Sequence, residues 1–181
     1  MRIIAITGRK GSGKSTLARN LQRKFQEQGV ICFIRSFATP IKEAIWNWFP
    51  QVNSKEAQSP WGMTGREMYQ KLGQACREIH KDWWVTVMKE DLDTLQMKDD
   101  FIVIIDDVRF KNEMEGLKAV APCVFIKLTR DPLPPDSHPS EHGLDGVAKS
   151  AFDIVAPPDS SEIETLEWVW NRLKEIIYAA V

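Results

Sequence analysis

No apolar run in this sequence approaches the ~20 residues that a membrane-spanning helix needs. The short run that follows Met1-Arg2 ends at Gly8, too early for a signal h-region. A cytoplasmic protein is therefore expected, with no membrane partner. Cysteine is scarce. Cys32, Cys76 and Cys123 are odd in number, far apart and not in a C-x-x-C spacing. That excludes a disulfide framework and a zinc ribbon and leaves small, buried, apolar side chains. Basic excess is also missing, with 24 Lys and Arg against 25 Asp and Glu and a net charge of −1. A polynucleotide backbone demands many cations, so no nucleic acid polymer is expected as partner. A nucleotide-sized anion needs only a few cations focused in one cleft. The N-K-x-D and D-x-x-G segments of a GTPase do not occur. Internal repeats, low-complexity tracts and an interdomain linker are lacking as well.

What is present suits one domain. A chain of 181 residues can bury roughly 70% of the surface its unfolded form exposes. Short runs rich in branched residues predict strands at Arg2–Thr7, Val30–Phe37, Phe101–Asp106, Cys123–Thr129 and Phe152–Val155. Their continuous apolar character implies burial on both faces. Helices are expected at Lys14–Glu27, Pro40–Trp48, Gly65–His80, Trp83–Met97, Asn112–Val120 and Ser161–Ala179. Gly29 suits the C-terminal end of the first, Thr39 an N-cap of the second, and Thr64 with Glu67 a capping box on the third. In the last helix Ile163, Leu166, Val169, Trp170, Leu173, Ile176 and Ile177 are expected to face inward. Strands alternating with helices predict an α/β fold: three layers, about five parallel strands, helices on both faces. The stretches Pro50–Gly62 and Arg130–Ser150 lack any period and read as functional loops.

The strongest pattern is Gly8-Arg9-Lys10-Gly11-Ser12-Gly13-Lys14-Ser15-Thr16, a match to G-x-x-x-x-G-K-[ST] between a strand and a helix. Glycines let the backbone curl so that several N–H groups point at one phosphate, and the helix N-terminus adds partial positive charge. Gly8, Lys10, Gly11, Ser12, Gly13, Lys14, Ser15 and Thr16 are thus candidate ATP-binding residues. Lys14 is expected to reach the β- and γ-phosphates, and the Ser15 hydroxyl to hold Mg²⁺. Phe101–Ile105 runs straight into Asp106-Asp107, and either acid suits the metal side. Phosphoryl transfer depends on charge stabilisation and alignment, so the scattered arginines Arg35, Arg66, Arg77, Arg109 and Arg130 are candidates for that work.

Beyond the loop, Ser36-Phe37-Ala38-Thr39-Pro40-Ile41-Lys42, Thr64-Gly65-Arg66-Glu67, Leu72-Gly73, Arg77, Asp82-Trp83-Trp84-Val85 and Asp107-Val108-Arg109-Phe110-Lys111-Asn112-Glu113 resemble the bacteriophage-type deoxynucleoside monophosphate kinases. His138-Pro139-Ser140-Glu141 resembles a lid motif of the same family. The resemblance runs from Arg2 to about Asp153. It implies a nucleoside monophosphate kinase fold in one domain over 1–181, with an acceptor-binding helical region at about 40–98 and a lid at about 130–150. It implies transfer from ATP to a dNMP, giving ADP and dNDP. By matched position, Asp107 is the acid of D-V-R-F, Arg109 holds the acceptor or the transferring phosphate, and Lys42, Arg66 and Arg77 line the monophosphate site. Arg130 belongs to the lid or adenine side. Trp84 is a candidate to stack a base, with core packing as the alternative.

His138-Pro139-Ser140-Glu141-His142 formally matches H-x-x-E-H, an inverted zinc protease pattern. The prolines around it and Gly143 after it deny the stable helix that chemistry needs, so a polar lid segment is the reading. No general base is evident, and none is required, because a monophosphate oxygen is already ionised at neutral pH. The alternatives are a kinase of another small metabolite and a nucleotide-dependent switch protein. Monomer and homodimer both remain open.

Overall fold

Arg2–Thr7 (β1) is buried along all but its first residue. The computed structural model, which describes residues 1–95, 100–130 and 138–178, makes it the central strand of a sheet. The other strands are Ile31–Arg35 (β2), Phe101–Ile105 (β3), Cys123–Leu128 (β4) and Ile154–Ala156 (β5). All are parallel, in the order β2-β3-β1-β4-β5. Every expected strand is present: β1 has the expected bounds, β2, β3 and β4 are trimmed at their ends, and β5 starts at Ile154 and runs to Ala156, shifted toward the C-terminus of the expected Phe152–Val155.

The chain forms two compact units, Met1–Arg35 with Gln96–Val181, and Ser36–Leu95. In the first, Lys14–Glu27 (α1) and Glu162–Tyr178 (α7) cover one face of the sheet. Leu17, Leu21 and Phe25 of α1 and Val169, Trp170 and Leu173 of α7 pack on Ile4, Ile6, Ile104 and Ile126. Phe25 meets Trp170 edge-on at 4.9 Å. On the opposite face lie Ile3, Ala5 and Phe125, with Lys111–Lys118 (α5) reaching the Phe125 ring through Lys118 at 5.1 Å. The remaining elements are Pro139–His142 (α6) and a single 3₁₀ turn at Lys149–Ala151.

The second unit holds Thr39–Trp48 (α2), Gly65–Ile79 (α3) and Trp83–Thr94 (α4). Thr64 and Glu67 close the predicted capping box on α3: the Glu67 carboxylate accepts the Thr64 N–H at 2.7 Å, and the Thr64 hydroxyl accepts the Glu67 N–H at 3.3 Å. Trp84 is buried.

Several boundaries differ from expectation for local reasons. Thr39 is the first residue of α2 rather than its cap. A turn closed by the Thr39 N–H on the Ser36 carbonyl (3.1 Å) starts the helix one residue early, behind Ala38. The α1 C-terminus shows the paired bonds of a Schellman motif, Gly29 N–H to Gln26 and Val30 N–H to Phe25, with Gly29 at φ 75°. In α7, Ile163 is 75% exposed and Ile176 39% exposed. The buried stripe is Val169, Trp170, Leu173 and Ile177, narrower than the composition suggested. The expected ends of two helices, at Met97 and Ala179, lie outside the described residues, as does much of the predicted lid, residues 131–137. Among the described residues no helix is long and apolar enough to cross a membrane. Cys32 is buried and Cys76 and Cys123 are partly so; burial pushes the Cys32 and Cys123 thiols up to about 12, so neither is a reactive thiolate at neutral pH.

Leu21 is fully buried between α7 and the sheet. Leu21→Ala is expected to lower unfolding free energy by about 2–5 kcal/mol, read as a fall in the urea midpoint at constant slope. A loss below about 1 kcal/mol would mean that Leu21 is not packed between α7 and the sheet as described.

Candidate functional site

At the end of β1 the chain turns sharply into α1. Gly8 takes φ 152° and Gly13 φ 93°. A Cβ on Gly8 would stand 2.8 Å from the Leu128 carbonyl oxygen and 2.7 Å from the Ser12 hydroxyl, so only glycine fits. The N-terminus of α1 has no side-chain cap and no acidic residue in its first turn. Its N–H groups are thus left for an external acceptor. The Ser12 hydroxyl oxygen is buried and, among the described residues, without a hydrogen-bond partner.

Lys14 folds back over this loop. Its ammonium donates to the carbonyls of Gly8 and Arg9, each at 2.8 Å. Burial brings its pKa down to about 8, helped by the Arg109 charge and opposed by Glu141, Asp107 and Asp106. The low value follows from burying a cation away from water, an effect that the three neighbouring carboxylates offset only in part.

The Ser15 hydroxyl donates to Asp106 Oδ2 at 2.6 Å. Two backbone bonds steer the acids there: the Asp106 N–H reaches the Arg35 carbonyl at 3.3 Å, and the Val108 N–H reaches Ile6 of β1 at 3.2 Å. Of the doubled acid, Asp106 therefore stands on Ser15; Asp107 is half-buried and close enough to act on Lys14 electrostatically. A hydroxyl beside a carboxylate is a donor set that fits a hard divalent cation such as Mg²⁺.

Arg109 is held at both ends by carboxylates. The buried Glu113, on the first turn of α5, accepts the Arg109 N–H at 2.7 Å and the Phe110 N–H at 3.0 Å. Glu141 of α6 forms an ion pair with the guanidinium Nη1. The other oxygen of Glu141 accepts the Lys10 N–H at 2.9 Å. Burial pushes the Glu141 carboxyl up, but Arg109, the Lys10 N–H and Lys14 together pull it below the usual range.

Arg130 donates to the Ser160 carbonyl and borders a groove beside the loop, lined also by Ser12, Thr16, Asn20, Glu162 and Thr165. Within the helical unit, Lys42, Arg66 and Arg77 are half-buried. Arg66 and Arg77 share one unbroken helix, α3, and its eleven-residue step puts them on one face roughly 16 Å apart. The Gly73 carbonyl accepts both Arg77 Nη1 (3.1 Å) and the Trp84 indole N–H (2.9 Å). Trp84 thus spends its polar edge inside the unit, on the core-packing side of the two expectations. His138 Nδ1 accepts the Ser140 N–H at 3.2 Å, as the N-cap of α6.

Sequence reasoning missed Glu113 and Glu141 as functional groups. Glu113 carried a signal, standing three residues after Phe110 at a helix start, where a carboxylate turns back onto free N–H groups. Glu141 carried none beyond its motif, because its partners Lys10 and Arg109 lie 131 and 32 residues away.

A family model described as deoxynucleotide monophosphate kinase matches residues 51–167, more than half of the 181-residue chain. The match includes the T-G-R-E, D-V-R-F and H-P-S-E segments and begins after the phosphate loop. Comparison with curated proteins found no match. Among solved structures, the protein designated APE1195 is similar, with a TM-score of 0.52 at 14% identity over 97% of this chain and 95% of that one. The Mycobacterium tuberculosis APS kinase CysC in complex with AMPPNP and APS gives 0.48 at 16% identity, covering 96% and 97%. Shikimate kinase from Acinetobacter baumannii in complex with shikimate gives 0.48 at 13%, covering 98% and 93%. The APE1195 likeness concerns the fold.

Glu113 is 1% exposed, so its removal strands two N–H groups. Glu113→Ala is expected to cost about 1–3 kcal/mol of stability, measured by thermal or urea unfolding. An unchanged midpoint would show that the carboxylate does not hold the Arg109 turn.

Proposed function

The chain belongs to the deoxynucleotide monophosphate kinase family and is a nucleotide kinase, and on that premise we propose that it transfers the γ-phosphoryl group of ATP to a deoxynucleoside monophosphate, giving ADP and dNDP. The observation that carries the donor side is the curled Gly8–Ser15 loop, with its uncapped helix N-terminus and the stranded Ser12 hydroxyl. The acceptor side rests on the family.

In this reading the backbone N–H groups of the loop bind the β-phosphate, and Lys14 leaves the Gly8 and Arg9 carbonyls for the β- and γ-oxygens. Ser15 and Asp106 hold Mg²⁺, with Asp107 as the neighbouring acid; the ion, when bound, neutralises charge on the triphosphate. Arg109 meets the transferring phosphoryl group. An arginine in that role contributes roughly 10³ to 10⁵ in rate, or about 4 to 7 kcal/mol. Arg130, beside the groove next to the loop, serves the nucleoside end of ATP. Lys42, Arg66 and Arg77 bind the acceptor. Their spacing along α3 gives Arg66 and Arg77 separate parts of that ligand, since one phosphate is only a few ångströms across. Trp84 shares the Gly73 carbonyl with Arg77 as its acceptor. The acceptor oxygen is ionised already, so alignment and charge stabilisation do the chemistry without a base.

The test is coupled ADP release with ATP, Mg²⁺ and each common dNMP and NMP in turn. Release that depends on one or a few deoxynucleoside monophosphates is expected, lost in Lys14→Ala and reduced at least about 10³-fold in Arg109→Ala. Release with none of them would overturn the acceptor assignment.

The lowered Lys14 value predicts a pH dependence. The protonated amine is the binding form, and it is lost as pH rises through about 8 in the free protein. ATP affinity should be flat below pH 7 and about tenfold weaker at pH 9, with proton uptake on binding in between. Affinity that stays constant from pH 7 to 9 would mean that the Lys14 amine keeps its proton through that range and does not titrate near 8.

A further inference from the structure

We infer that Glu141 is a positioning residue for the phosphoryl group, a carboxylate strut that holds the Arg109 guanidinium against the phosphate loop at its γ-phosphate end; this rests on the reading of Gly8–Ser15 as a triphosphate site. The carboxylate divides its two oxygens between different elements. Oε1 takes Arg109 Nη1 and Oε2 takes the Lys10 N–H of the loop. The side chain of Glu141 is 4% exposed and that of Arg109 26%. Arg109 Nη1 is further engaged by the Ser140 carbonyl at 3.3 Å. Among the described residues, its Nη2 and Nε make no hydrogen bond. One edge of the guanidinium is therefore pinned, and the other is left for an anion, the geometry that favours bidentate recognition of phosphate.

The segment bearing Glu141 is built for close approach. Arg9 Nη1 donates to the Glu141 carbonyl at 2.6 Å, and Arg9 Nη2 pairs with Asp145 at 3.0 Å. A Cβ on Gly143 would stand 2.4 Å from the Arg109 carbonyl oxygen and 2.8 Å from the Phe110 ring, so the chain passes Arg109 where only glycine fits. A carboxylate that merely filled an empty phosphate site would need no such fastening. This one ties the two basic elements of the site, the loop and Arg109, to each other.

The readout is the preference for ATP over ADP, measured by calorimetry with Mg²⁺ and no acceptor. Glu141→Gln keeps the shape and removes the charge. It is expected to weaken ATP about tenfold while leaving ADP unchanged, and to have no further effect in an Arg109→Ala background. Should Glu141→Gln fail to bind ADP at all, Glu141→Asp is the second variant: one methylene shorter, it cannot reach both partners, and it should lose the ATP preference while keeping ADP affinity. An unchanged ATP preference, or an effect that simply adds to that of Arg109→Ala, overturns the inference. Tighter ATP binding by Glu141→Gln overturns it too, because the carboxylate would then be competing with phosphate for the loop. These outcomes do not depend on the acceptor, so wild-type protein that turns over no monophosphate would sink the proposed reaction and still leave Glu141 decided.

Discussion

The close approach at Gly8 sets the geometry of everything around it. β1 is hydrogen-bonded on both sides, to β3 and to β4, with Ala5 opposite Ile105 and Thr7 opposite Lys127. Those registers leave no slack at the strand end. The chain must leave β1 against Leu128, and a side chain at Gly8 would collide with the Leu128 carbonyl. The loop therefore curls back on itself, and α1 begins with its N–H groups uncovered. The same register brings Asp106, one residue beyond the partner of Ala5, onto the Ser15 hydroxyl. A parallel sheet packed on both faces supplies the rigidity that a precise anion site needs.

A loop built for phosphate is electrostatically unbalanced without one. The helix N-terminus, Lys14 and Arg109 concentrate positive potential in a small volume, and burial first, then the Arg109 charge, lower the proton affinity of Lys14. Carboxylates of the chain moderate the imbalance in distinct ways. Glu113 acts on backbone N–H groups and fixes where Arg109 starts. Asp106 acts on the Ser15 hydroxyl. Glu141 acts on the Arg109 guanidinium itself. Two unit charges about 4 Å apart interact by about 4 kcal/mol at an effective dielectric near 20, so which atom each carboxylate faces decides what the cations can still do.

Much of the fold was legible because its determinants are local. Branched runs marked each strand, and the ends of α1 were readable from Gly13-Lys14 and Gly29. Thr64 with Glu67 announced α3. The misreadings share a cause: each turned on a neighbour distant in sequence or on one backbone bond. Ile163 and Ile176 belong to an amphipathic pattern, yet the core takes Val169, Trp170, Leu173 and Ile177 fully and Leu166 and Trp168 at its edge, and leaves Ile163 and Ile176 exposed. Thr39 lost its cap to a turn anchored at Ser36. The loop residues of the candidate site could be read from spacing, since spacing is the mechanism. Which of Asp106 and Asp107 meets Ser15 could not, because the answer lies in how β3 ends beside β1.

The H-P-S-E segment illustrates the limit most clearly. A helix of four residues, Pro139–His142, is far below the ~12 at which isolated helices become marginal. Pro139 and the His138 cap pre-set its first turn, but those local terms fix a starting angle and no more. Its order must come from what it touches: Arg9 and Lys10 on the loop, and Arg109 and Phe110 after β3. The contacts run both ways: Glu141 of this segment pairs with the Arg109 guanidinium and accepts the Lys10 N–H, and Arg9 donates to the Glu141 carbonyl. Three stretches far apart in sequence thus meet in one hydrogen-bonded network around the Glu141 carboxylate, the arrangement in which charged groups polarise one another in a low local dielectric.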